Sequence, residues 1–158
     1  MGERGMIVDV STTLACSLDE AIAHVRTPRL LQFVASPLVR FVPVEPSEFP
    51  DVWGEGRYTV ALRLFGVIPF GEQAIVISMP PTDTGFCVRD AGHGALISTW
   101  DHLITITPQG TGCHYRDRVH VRAGVLTPVV WLFAQWFYRH RQRRWRVLCA
   151  SGFDYAAR

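Results

Sequence analysis

Lysine is absent: all sixteen basic residues among the 158 are arginine. We read this as a coding bias toward arginine rather than a functional demand. Cysteine is sparse. Cys16, Cys87, Cys113 and Cys149 lie far apart and form no C-x-x-C pair, which argues against a metal knuckle or a redox motif. Scattered thiols suit a reducing, cytoplasmic setting, where cysteine behaves as a small hydrophobe. Net charge is low as well, only +2, and does not by itself indicate a nucleic-acid partner. The longest apolar run is too short to span a bilayer. Glu3, Arg4 and Asp9 interrupt the N-terminus, so no secretory leader is expected. Met1-Gly2 resembles a myristoylation start, but Met6 stands where Ser or Thr is required.

Catalytic signatures are missing too. There is no Gly-x-Ser-x-Gly elbow and no His-Glu-x-x-His. The glycines of GVIPFG (66–71) and AGHG (91–94) match neither a Walker loop nor a dinucleotide fingerprint, and read as hairpin turns. No repeat, low-complexity stretch or linker occurs. No metal and no cofactor is expected.

What is present is enough apolar residue to fold. With 48% hydrophobic and 19% charged residues, the chain lies outside the disordered range. Its length suits one domain over residues 1–158. Met6 to Leu14 alternates as a strand. Ser17 and Glu20 form a capping box for a short helix, and Pro28 restarts the chain into a second short helix over Arg29 to Val34. Strands are then expected at Leu38–Val44, Arg57–Leu64, Glu72–Met79, Phe86–Asp90, Leu96–Thr107 and Gly112–Ala123.

Thr127 to Leu148 reads as one long helix, with Thr127 as N-cap and Pro128 in the first turn. At helical rise it spans roughly 33 Å. Val129 to Tyr138 is apolar or aromatic except for Gln135, whereas five of the eight residues from Arg139 to Arg146 are Arg. Val130, Trp131, Ala134, Tyr138, Trp145, Leu148 and Cys149 form one stripe, interrupted by Arg141 and Gln142. Phe133, Trp136 and Phe137 lie on the other side. A helix that is apolar all round must be covered all round. The first side can pack on a sheet; the second needs a loop, a partner chain, a ligand or a membrane.

The order of strand, two short helices, an antiparallel meander and one long helix resembles the Bet v 1-like, START-like (SRPBCC) helix-grip superfamily. WGEGRYTVALRLFGVIPFG from Trp53 and YRDRVHVRAGVLTPVVWLF at the final strand–helix join carry the likeness. It implies an α+β fold, a curved sheet of about seven strands around the C-terminal helix. It also implies a hydrophobic small molecule held between them, with polyketide cyclases and lipid-transfer modules among the relatives.

Strand parity names the candidate inward residues. Trp100, His102, Ile104 and Ile106 share one face, as do Tyr115, Asp117, Val119 and Val121. If Thr107 pairs with Gly112, His102 faces Asp117 directly. Such a pair either orients the imidazole as a general base or simply satisfies two buried polar groups. A ligand would meet Tyr58, Leu62, Ile75, Ile77, Phe86, Trp100, Tyr115, Trp131, Ala134, Gln135 and Tyr138, a mostly apolar set with a few polar points. The alternative is that these residues close-pack and leave no pocket. The arginine run has three readings: a solvated helix end whose cations complement the helix dipole and find acidic neighbours, a membrane-surface anchor with Phe133, Trp136 and Phe137, or a nucleic-acid contact; no nucleic-acid partner is expected, because the net charge is low and no recognition motif accompanies the run. The helix's outer aromatic side leaves membrane contact and a homodimer interface open. Three functions follow: carriage of a lipid, isoprenoid or polyketide-like molecule; a cyclase or dehydratase reaction using His102 and Asp117; or a peripheral membrane or dimerising role.

Overall fold

The computed structural model describes residues 4–156. Met1, Gly2 and Glu3, on which the acylation and leader readings partly rested, lie outside the described residues. The elements run β1 (Met6–Leu14), α1 (Leu18–Val25), α2 (Pro28–Ala35), β2 (Val39–Glu45), β3 (Gly56–Leu64), β4 (Ile68–Ser78), β5 (Phe86–Gly94), β6 (Thr99–Gln109), β7 (Gly112–Arg122) and α3 (Thr127–Ala150). One antiparallel sheet has the order β1-β7-β6-β5-β4-β3-β2. Strands β2 to β7 form a meander, and β1 closes its far side. The helices α1 and α2 carry the chain from the β1 edge to the β2 edge. This is the α+β helix-grip fold.

Local chemistry explains the starts of the two short helices. Ser17 caps α1 through the Glu20 N–H, and the Glu20 carboxylate accepts from the Ser17 N–H, the reciprocal capping box. Thr27 caps α2, with Pro28 at its first position. Thr127 does not cap α3. It lies inside the helix, and its hydroxyl accepts from Ala123 N–H and donates to Gly124 O.

The two glycine segments differ from expectation. AGHG is strand, not turn: Ala91 pairs with Asp101 and Gly92 with Trp100, while His93 and Gly94 pair with Ala74 and Gln73. A Cβ on Gly92 would sit 3.0 Å from Trp100 O and 3.1 Å from Ala74 O. The glycines therefore admit close backbone approach inside the sheet. In GVIPFG the turn is confined to Phe65–Val67, where Phe65 and Gly66 take positive φ. Pro69 already pairs with Arg63. The β6–β7 turn is tighter than expected, since Gln109 pairs with Gly112.

Both edges of the sheet meet helix side chains. On β1, Trp131 Nε1 donates to Ile7 O and Gln142 Nε2 donates to Val10 O. On β2, the Gln32 amide of α2 donates to Phe41 O and accepts from Phe41 N–H. Three of the cysteines are neighbours rather than scattered. Cys149 Sγ lies 3.5 Å from Cys16 Sγ, and Cys113 is buried beside Cys16. Burial pushes the Cys16 and Cys113 thiols up to about 12 and Cys149 to about 11, so they stay protonated and pack as apolar groups.

Candidate functional site

The concave face of the sheet and α3 do not meet everywhere, and a cavity of about 320 Å³ lies between them. Leu62, Leu64, Ile75, Ile77, Val88 and Ile104 form its sheet wall. Leu30 and Leu31 of α2 close one side, and Val129, Val130, Phe133 and Phe137 of α3 close another. Parity explains the wall: alternate residues of an antiparallel strand share a face.

Polar groups gather in one region of this apolar space. Asp90 follows Phe86 and Val88 on the inner face of β5 and lines the cavity. The β4–β5 ladder is open between the Ala74–His93 and Ile77–Asp90 pairs. There Asp90 Oδ1 accepts from Val76 N–H at 2.9 Å. Burial drives the Asp90 carboxyl up to about 7, against the opposing pull of that hydrogen bond and of Arg141.

His102 is the cross-strand partner of Asp90 and lines the cavity. Its Nε2 lies 2.7 Å from Asp117 Oδ1. The register differs from the expected one by two residues: His102 pairs with Val119, and Asp117 with Ile104. An even shift preserves every face. The two residues sit diagonally, still within reach of their side chains. Asp117 also accepts from Tyr115 Oη at 3.0 Å and from Gln142 Nε2 at 2.9 Å. Burial alone would raise the Asp117 carboxyl, but the His102 bond and the charges around it hold it below the usual range. Burial pushes His102 down. The pair is thus a carboxylate and a neutral imidazole whose Nε2 carries the proton, which leaves Nδ1 as the basic nitrogen.

Arg141 completes the region. It is 5% exposed, lines the cavity, and sits over the rings of Tyr138 and Phe137 with Cζ 5.1 and 5.7 Å from their centroids. Its Nε has no hydrogen-bond partner. Burial works against its charge, but the facing Tyr138, Tyr115 and Asp117 outweigh it and raise its pKa above the ordinary value. Tyr138 Oη accepts from Trp100 Nε1 at 2.9 Å.

Of the ligand contacts expected from sequence, Leu62, Ile75, Ile77, Trp100 and Tyr138 line the cavity together with His102. The others have different surroundings. Tyr58 packs on Trp53 and bonds Gly54. Phe86 packs against the core at the end of β5. Tyr115 packs on Trp145 behind Asp117. Ala134 is fully buried among Val8, Val119 and Val121. Trp131 lies along β1, and Gln135 accepts from Arg139.

The two sides of α3 are partly exchanged relative to the helical wheel. Phe133 and Phe137, assigned to the outer side, line the cavity; Trp136 remains half exposed. Sequence reasoning missed Asp90, Phe133, Phe137 and Arg141 as cavity residues. The break that Arg141 makes in an apolar stripe was the available signal. No helix among the described residues is long and apolar enough to cross a membrane.

A family model described as a domain of unknown function, DUF8410, matches residues 13–148. No curated protein matches the sequence. Solved structures share the fold. A Thalictrum norcoclaurine synthase point mutant in complex with a transition-state analogue is 10% identical, with TM-score 0.67 over 98% of this chain and 99% of that one. A START superfamily protein from Mycobacterium smegmatis is 11% identical, with TM-score 0.63 over 92% and 97%. Ara h 8.0201 is 10% identical, with TM-score 0.64 over 94% and 99%.

Proposed function

This chain belongs to the DUF8410 family, and we propose that it binds or carries a compact, mostly apolar small molecule between the sheet and α3. The observation that carries this reading is the cavity of about 320 Å³ with its aliphatic and aromatic walls. Small-molecule sites run from about 300 to 1,000 Å³ and combine apolar walls with a few placed polar groups. A volume at the low end suits a ring system or a short chain of the isoprenoid or polyketide kind better than a two-tailed lipid. The shared fold with a START superfamily protein supports the same reading. Leu62→Trp places an indole in the cavity. It is expected to abolish uptake of the neutral fluorophore N-phenyl-1-naphthylamine while the circular dichroism spectrum stays unchanged. Undiminished uptake would move the ligand elsewhere. Native mass spectrometry of the protein from its own host then identifies what travels with it.

A second reading has its own support in the hydrogen bond of 2.7 Å between His102 and Asp117 at the cavity wall. A neutral imidazole held by a carboxylate can take a proton beside a carbonyl. Tyr138, whose oxygen already accepts from Trp100, keeps its own hydroxyl proton for a carbonyl oxygen. That is the equipment of a cyclase or dehydratase. With the host-extracted ligand as substrate, His102→Gln is expected to stop conversion and leave retention nearly intact. Equal loss of both would assign the pair to structure.

A further inference from the structure

We propose that the ligand's polar end is a carboxylate or an equivalent anionic oxygen group, and that it seats on the guanidinium of Arg141. This rests on the cavity being the ligand site and goes on to name the ligand's chemistry.

Three observations point the same way. First, among the residues that line the cavity Arg141 is the one permanent cation, since arginine keeps its charge at any working pH. Second, its Nε is buried without a partner, whereas buried donors are nearly always bonded. The rings of Tyr138 and Phe137 support the guanidinium and the Tyr115 hydroxyl bonds it, but none of them satisfies Nε. Third, the carboxylate of Asp117 is fully committed elsewhere and that of Asp90 in part. The oxygens of Asp117 take His102, Tyr115 and Gln142, and Asp90 Oδ1 takes Val76 N–H. Among the described residues no carboxylate forms an ion pair with Arg141. A planar donor fork at one end of an apolar chamber matches an acid with an apolar body.

The groups facing this end are Asp90 on β5, His102 on β6, Tyr115 and Asp117 on β7, and Tyr138 on α3, while Asp101 of β6, paired with Arg89, adds its negative charge to the field on Asp90. Asp90, whose carboxyl titrates at about 7, sets the pH dependence. Protonated, it tolerates a ligand anion beside Arg141 and can donate to it. Ionised, it competes for the same cation. Affinity for an acid should therefore fall as pH rises through neutrality, and binding near pH 7 should take up a proton.

The test uses the whole protein and N-phenyl-1-naphthylamine, displaced by decanoic acid or by 1-decanol. Decanoic acid stays ionised between about pH 6 and pH 8. At pH 6 the acid is expected to displace the fluorophore at a concentration about tenfold lower than the alcohol, a difference of about 1.4 kcal/mol. Arg141→Met should erase that preference, with each displacement scored against the variant's own affinity for the fluorophore. The preference should shrink toward pH 8 in the wild type and stay constant in Asp90→Asn. Equal displacement by acid and alcohol, or a preference that survives Arg141→Met, overturns the proposal. A preference that falls with pH in Asp90→Asn as in the wild type overturns the role of Asp90. Absence of fluorophore binding to the wild type would instead defeat the cavity as ligand site. Should Arg141→Met fail to fold, the wild-type preference and its dependence on Asp90 decide the matter.

Discussion

Asp90 is held at about 7 by burial, against about 3.9 in an unfolded chain. Between those values the native state keeps a proton that the unfolded chain has released. Its contribution to stability therefore falls as pH rises from about 4 to about 7, and levels off above that. Asn at this position retains an oxygen for the Val76 N–H and cannot ionise. Asp90→Asn is expected to be more stable than the wild type at pH 7 by on the order of 2–4 kcal/mol, with the gain vanishing near pH 4 in urea unfolding. A gain of equal size at both pH values would show that ionisation is not its cause. Asp90 was within reach of strand parity, because Phe86, Val88 and Asp90 alternate; it was missed because AGHG was read as a turn that ended the strand there. His102 and Asp117 were legible because parity survives a two-residue error in register. Arg141 was visible as a break in an apolar stripe, but only packing reveals that the break faces empty space.

At the level of elements, α3 illustrates what a helical wheel can and cannot supply. It separates faces by angle, but the neighbours of each face come from the tertiary fold. α3 runs along β1 from Trp131 to Arg146, while Phe133 and Phe137 turn to the cavity. The arginine run, on one of its three readings, meets acidic neighbours. It finds carbonyl and hydroxyl oxygens instead: Arg144 donates to Phe33 O, His140 Nε2 lies 2.8 Å from Ser36 O, and Arg146 donates to Thr12 Oγ1. Phe33 lies in the last turn of α2 and Ser36 just beyond it, where a helix leaves carbonyls unsatisfied and its dipole is negative. The Arg144 cation thus complements the end of a different helix from its own. Short helices and strands were readable from caps and alternation because those signals are local. Close backbone approach at Gly92 depends on neighbours distant in sequence and was not.

Across the whole molecule, the order of elements carried the fold, since a meander with one long helix has few ways to bury its inner face. The cavity was not legible in the same way. Its volume is the difference between two packed surfaces, and no pattern along one chain measures that. The ends of the sheet were equally hidden. An open sheet with bare outer strands invites strand addition and fibril growth. Here the Gln32 amide stands against Phe41 like one residue of a further strand, satisfying both its N–H and its carbonyl. Gln32→Ala should leave the monomer folded but let thioflavin-positive polymer accumulate with rising concentration; a variant that stays dispersed would mean β2 is shielded by something else. A single glutamine side chain, posing as the next strand, stands where a second copy of the chain would have to add its own.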